Sequence, residues 1–178
     1  MNTTNFVGRP HDFDFLLGTW HIANRRLKHR HVGSNEWDEF PATSRAWVML
    51  DGIVSVDENL FPTRGVGGLT LRSLDLAAGQ WAIYWISSES GRLFPPVHGG
   101  FDGDHGEFYG EDTDEGRTVQ VRFIWTRLGP QAARWEQAFS LDGGAWETNW
   151  AMDLSRATAS DTSDAAGAAL SDAGRGLS

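Results

Sequence analysis

A chain of 178 residues without cysteine has no disulfide, no thiolate metal site and no cysteine nucleophile. Its formal net charge of -9, from 24 acidic against 15 basic residues, argues against a nucleic-acid or anionic-membrane surface, because both need clustered Lys and Arg. The length suits one domain, and the 9 Trp and 10 Phe are enough to fill its core or to wall a cavity with rigid rings.

Residues 1–11 are polar and carry Gly8 and Pro10, the pattern of a flexible leader. They lack a basic region followed by an apolar run, and no stretch of the chain approaches the ~18 apolar residues of a membrane span, so a cytoplasmic soluble protein is expected. Asp12 is placed to cap a short helical turn over residues 13–17, stopped by Gly18. So short a turn plugs something rather than standing alone. Residues 20–30 contain no helix breaker and fit either regular structure; they are read as a strand. A second strand spans residues 37–50, with Pro41 as an interruption because it cannot donate to a ladder.

After Asp51-Gly52, alternation over residues 53–61 groups Val54, Val56, Glu58 and Leu60 on one face, leaving Asp57 and Asn59 outside. Residues 69–74 and 80–86 form a hairpin that sets Arg72 near Tyr84 and puts Leu71 with Trp81, Ile83 and Trp85. A loop with Gly91 and Pro95-Pro96 then crosses an open barrel end. Strands near residues 97–101, 105–111 and 117–125 continue the meander. In the last of these, Val119, Val121, Phe123 and Trp125 share a face, and Arg122 falls close to Glu136 across the next turn.

Residues 134–150 read as a hairpin around Asp142-Gly143-Gly144. Trp135, Gln137 and Phe139 share one face of it, and Trp146, Thr148, Trp150 and Met152 are grouped against Glu147, Asn149 and Asp153. Residues 157–178, rich in Ala, Ser, Asp, Thr and Gly, read as a disordered low-complexity tail. Residues 12–156 are thus expected to form an all-β, single antiparallel up-and-down barrel of roughly ten strands.

The opening Phe13-Asp14-Phe15-Leu16-Leu17-Gly18-Thr19-Trp20 resembles the entry of calycin-type barrels, the lipocalin and fatty-acid-binding-protein group. The 135–150 hairpin and Gly68-Leu69-Thr70-Leu71-Arg72 resemble bacterial proteins of the DUF1579 type, which implies a calycin-like barrel but no particular chemistry. The neighbouring nitrobindins share a Gly-Thr-Trp entry and bind haem through a late His. This chain departs from them at residues 20–24 and has no His after His105, so neither haem nor any other cofactor is expected.

Several polar residues are candidates for chemistry. Glu58, if walled by Val and Trp, is a desolvated general acid or base, or else the partner of an inward Arg45 or Arg26. His98 begins a strand at the rim between a Pro-rich loop and two glycines, and is otherwise a surface histidine. His21, His29 and His31 lie among Arg25, Arg26, Lys28 and Arg30 as a solvated basic face. No metal site is expected, since His29 and His31 lack a third ligand. Arg72, Tyr84, Arg122, Glu136 and Asn149 form an outer polar set, unless a one-residue bulge exchanges the faces.

The leading expectation is a cavity for a small hydrophobic or aromatic molecule, lined by Trp20, Trp47, Trp81, Trp85, Phe123, Trp125, Trp135 and Trp150. Arg45, Tyr84, His98, Gln137 and Thr148 are its polar contacts. One alternative is a cofactor-independent isomerase, lyase or hydratase using Glu58 or His98, with Tyr84 or Arg45 polarising a carbonyl. Another is a non-catalytic interaction protein, a homodimer through Trp37 or an unpaired barrel edge.

Overall fold

The computed structural model describes residues 6–158, so residues 1–5 of the expected leader and 159–178 of the expected tail lie outside the described residues. Ten antiparallel strands close into a barrel in which each strand pairs with its sequence neighbours and β1 closes on β10. The strands are β1 (Gly18–Leu27), β2 (Trp37–Met49), β3 (Val54–Phe61), β4 (Val66–Asp75) and β5 (Gln80–Ser87). They continue as β6 (Val97–Asp102), β7 (His105–Asp114), β8 (Arg117–Gly129), β9 (Ala132–Ser140) and β10 (Glu147–Arg156). Closure leaves no unpaired edge, which removes the edge-pairing form of a dimer. β2 runs unbroken through Pro41, which stands opposite Ala23 with its side chain exposed.

One barrel end is plugged. A 3₁₀ turn, Asp14–Leu16, directs Phe13 and Leu16 into the core. Phe13 meets Trp81 and Phe101 edge-on at 4.9 and 5.2 Å, and Phe15 meets Trp125 at 5.6 Å. Asp12 does not cap this turn, which has no side-chain cap; its carboxylate accepts from the Arg9 amide and from the Trp81 indole at 3.1 Å. Two arginines clamp the plug from outside. Arg156 donates to the carbonyls of Leu17 and Phe15 at 2.5 and 3.0 Å, and Arg127 to that of Asp12 at 2.6 Å. Residues 6–11 lie against the barrel: Val7 exchanges both backbone hydrogen bonds with Phe101, and the Gly8 amide donates to the Gly79 carbonyl. Gly100 permits that approach, because a Cβ there would stand 2.4 Å from the Val7 carbonyl carbon.

Candidate functional site

The opposite end gathers the connections β1–β2, β3–β4, β5–β6, β7–β8 and β9–β10, and below them lies a cavity of about 230 Å³. Strand alternation supplies its wall. Trp20 and Ile22 come from β1, Phe61 from β3, Trp85 from β5, Phe123 and Trp125 from β8, Trp135 from β9, and Trp150 and Met152 from β10. The rings meet edge to face, Trp135 against Phe123 at 4.9 Å and against Trp150 at 5.8 Å, so each holds the next in one rotamer. The indole of Trp150 also donates to Asn24 at 2.9 Å. Gly68 makes room for Trp85, since a Cβ there would lie 2.1 Å from its ring.

The interior also holds a polar patch where the sequence reading expected apolar side chains. β3 turns Ser55, Asp57, Asn59 and Phe61 inward, and Glu58 outward with Leu60. The β4–β5 hairpin sets Arg72 opposite Ile83 and Leu71 opposite Tyr84, so Arg72 is inside and Tyr84 outside. Arg72 and Asp57 then form an ion pair at 2.5 Å whose side chains are only 3% and 5% exposed. Asn59 donates to the second oxygen of Asp57, and Arg72 to Ser55 at 3.3 Å. The Arg72 guanidinium lies over Phe13 at 4.8 Å, so the pair forms the floor between cavity and plug.

A β-bulge in β10 rearranges the hairpin expected to be simplest. Thr148 pairs with Ala138 and Trp150 with Gln137, and the extra residue Asn149 is buried and accepts from Gln137 at 2.8 Å. Thr148 is therefore turned away from the cavity that Gln137 and Trp150 line. Trp146 lies outside as well, under the Arg122 guanidinium at 4.7 Å and beside Tyr109.

The mouth is closed in part by the β1–β2 connection, whose residues were read as a solvated basic face. Arg30 instead grips Asp114 through two hydrogen bonds of 2.8 and 2.7 Å, and His31 reaches the same carboxylate at 2.8 Å with its side chain 3% exposed. The His31 amide donates to Glu147, and its ring stacks on Phe139. Burial pushes the Asp114 carboxyl upward, but the hydrogen bonds and charges of Arg30 and His31 outweigh it and hold that carboxyl below its ordinary value. Phe94 and Pro95 of the β5–β6 connection complete the rim.

Of the residues expected to line a cavity, Trp20, Trp85, Phe123, Trp125, Trp135, Gln137 and Trp150 do so. Trp81 is fully buried under the plug. Arg45, Trp47 and His98 are exposed on the outer surface, where Arg45 covers Trp47 and stands opposite Glu58. Neither Glu58 nor His98, each expected as an alternative general acid or base, lines the cavity. Arg122 does not reach Glu136; Ala138 is its register partner, and Glu136 accepts from Arg134. The sequence reading placed Asp57 and Asn59 outside, put Arg72 in an outer set that only an exchange of faces would turn inward, assigned Arg30 and His31 to a solvated face, and did not single out Asp114. The Asp57–Arg72 pair joins two strands and the Arg30–Asp114 pair joins the β1–β2 connection to the end of β7, so no spacing within one strand reveals either.

These features define a closed ten-stranded antiparallel barrel with an aromatic interior, a buried ion pair at its floor and a latched mouth. No protein-family model matches the chain, and no curated protein matches it. Among the described residues no helix is long and apolar enough to cross a membrane.

Proposed function

We propose that the barrel binds one small apolar or aromatic molecule in its interior. The observation that carries this reading is the cavity of about 230 Å³ with Trp20, Trp85, Trp125, Trp135 and Trp150 in its wall. An apolar protein cavity of about 150 Å³ holds benzene, so this space suits a ligand of one to two fused rings. Gln137 and Thr70, which also face the cavity, are available to orient a polar substituent. Kinship with the DUF1579 type, a cytoplasmic location and function without a resident cofactor, haem included, belong to the same proposal. So does the expectation of a small-molecule partner rather than nucleic acid or membrane, with a homodimer as a further possibility.

Two measurements test the reading. Native mass spectrometry of freshly purified protein is expected to show an organic mass that denaturation removes. Calorimetric titration with naphthalene is expected to saturate at one molecule per chain with a negative heat-capacity change, the mark of apolar burial. Equal native and denatured masses, together with heats of dilution only, would overturn it.

A further inference from the structure

The basic side chains around the cavity are each matched to a carboxylate except Arg26, and Glu111, which also lines it, has no salt bridge among the described residues. Arg72 is held by Asp57, Arg30 by Asp114, and Arg64 by Asp38. Arg92 lies 3.6 Å from Asp112. Arg26, the inward-facing residue near the end of β1, lines the cavity, and among the described residues no carboxylate forms a salt bridge with it. Its cross-strand neighbour on β2 is Asp38, the residue already engaged by Arg64. Its neighbour on β10 is Trp150, over whose ring the guanidinium lies at 4.9 Å. Asp114 and Glu89 attract it only through space, while Arg30 and Arg64 repel it. Arg26 stays accessible from the mouth.

A guanidinium has five donors and remains protonated, so a site that gives it one aromatic face and no acceptor leaves its hydrogen-bonding capacity for something else. Arg26 stands beside Arg30 and Arg64, whose charges are answered by Asp114 and Asp38, and the same mouth carries Glu111 and Asp112, so it is the unpaired guanidinium itself, not a positive rim, that marks the place. An anion here finds a planar fork partly removed from water, where a charge-assisted bidentate bond is strongest. The apolar wall begins directly below, with Trp150 serving both as the seat of Arg26 and as part of that wall.

We infer that the ligand is a small aromatic acid, whose rings occupy the Trp-lined cavity and whose carboxylate is bound by Arg26 at the mouth. The inference rests on the cavity reading and adds the polarity of the ligand and its direction of entry, rings first. Asp57 and Arg72 at the floor satisfy each other and so do not compete for the carboxylate. Binding needs no bond made or broken; the ligand enters as its anion.

The test uses three probes of one shape on the full chain: 2-naphthoate, 2-naphthamide and 2-naphthylmethylammonium. Affinities are read by calorimetry on wild type, Arg26→Met and Arg26→Lys. On wild type the acid should bind about tenfold or more tightly than the amide, as a hydrogen-bonded charge implies, and the ammonium ion should bind most weakly. Arg26→Met should bind acid and amide alike, and Arg26→Lys should restore part of the preference. Melting temperature should hold in both variants, because Arg26 has no ion pair to lose. Should Arg26→Met fail to fold, the order of the three probes on wild type decides by itself. Equal affinity for acid and amide on wild type, or a preference that persists in Arg26→Met, would overturn the role of Arg26 while leaving the cavity reading intact. Failure of all three probes to bind would overturn both.

Discussion

The Asp57–Arg72 pair offers the sharpest test of how this interior is held together. Both side chains are almost fully buried at 3% and 5% exposure, and they meet at 2.5 Å. Asp57→Asn keeps the oxygen that Asn59 bonds but leaves the Arg72 charge facing Phe13 and Trp125 without a counterion. Arg72→Met fills similar volume and strands the Asp57 carboxylate with only a neighbouring amide for support. Breaking a buried pair from one side costs about 3–5 kcal/mol, because the remaining ion stays desolvated. At about 3 °C per kcal/mol for a domain of this size, either single variant should melt about 10–15 °C lower by calorimetry or circular dichroism. The double variant Asp57→Asn/Arg72→Met removes both charges, so its cost should fall well below the sum of the two. Single variants that each cost less than about 1 kcal/mol, with effects that simply add, would refute the claim that this pair is a dry, mutually dependent unit.

Three further outcomes follow from the mouth, the wall and the outer face. Because Asp114 is depressed in the folded state, its contribution is complete above the ordinary value of 3.8 and is lost as the pH falls through the lower folded value. The stability gap between wild type and Asp114→Asn, measured by denaturant unfolding, should therefore be constant above about pH 5 and close below 3.8; a gap that widens on acidification would contradict the latch. Gly68→Ala places a methyl 2.1 Å from the Trp85 ring and 2.8 Å from the Ile86 carbonyl, and should lower stability by about 1–3 kcal/mol while shifting the tryptophan emission. On the outer face, burial and then the hydrogen bond and charge of Glu107 raise the Tyr109 phenol above its ordinary 10.0. Absorbance titration at alkaline pH should show that phenol moving down in Glu107→Gln.

Local alternation sufficed for the barrel and for most of its aromatic wall. β8 and β9 place Val121, Phe123 and Trp125, and then Trp135, Gln137 and Phe139, toward the interior as their spacing implies, because both strands are apolar on one side only. Alternation failed where polarity no longer marks the inner face. In β3 the more apolar set, Val54, Val56 and Leu60, faces outward, while Ser55, Asp57 and Asn59 face in. Asp57 is tolerated there only because β4 delivers Arg72 to it, and that delivery depends on the register of Asp57 with Thr70 and of Ser55 with Arg72. A strand read alone does not contain its neighbour's register.

Register errors of one residue explain the other departures. In the β4–β5 hairpin, Asp75 pairs with Gln80, and that register puts Arg72 beside Ile83, one residue away from the expected Tyr84. In β10 the extra Asn149 splits Thr148 from Trp150, and the side chain expected to orient a ligand points outward while Asn149 supports Gln137. Both steps move polar groups across the wall and leave the aromatic lining intact. Large rings fix the inner face because burying them outweighs local preference, whereas a small polar residue goes wherever the register carries it. Arg26 follows the same rule from the other side: it is inward because Trp20, Ile22 and Asn24 are inward before it on β1. Its lack of a counterion arises because Asp38, its register neighbour, is drawn to Arg64. The aromatic wall and the unpaired Arg26 therefore have separate origins, one in the pattern of single strands and one in the competition between neighbouring pairs. Substitution of Asp38 should thus alter the charge at the rim without disturbing the wall.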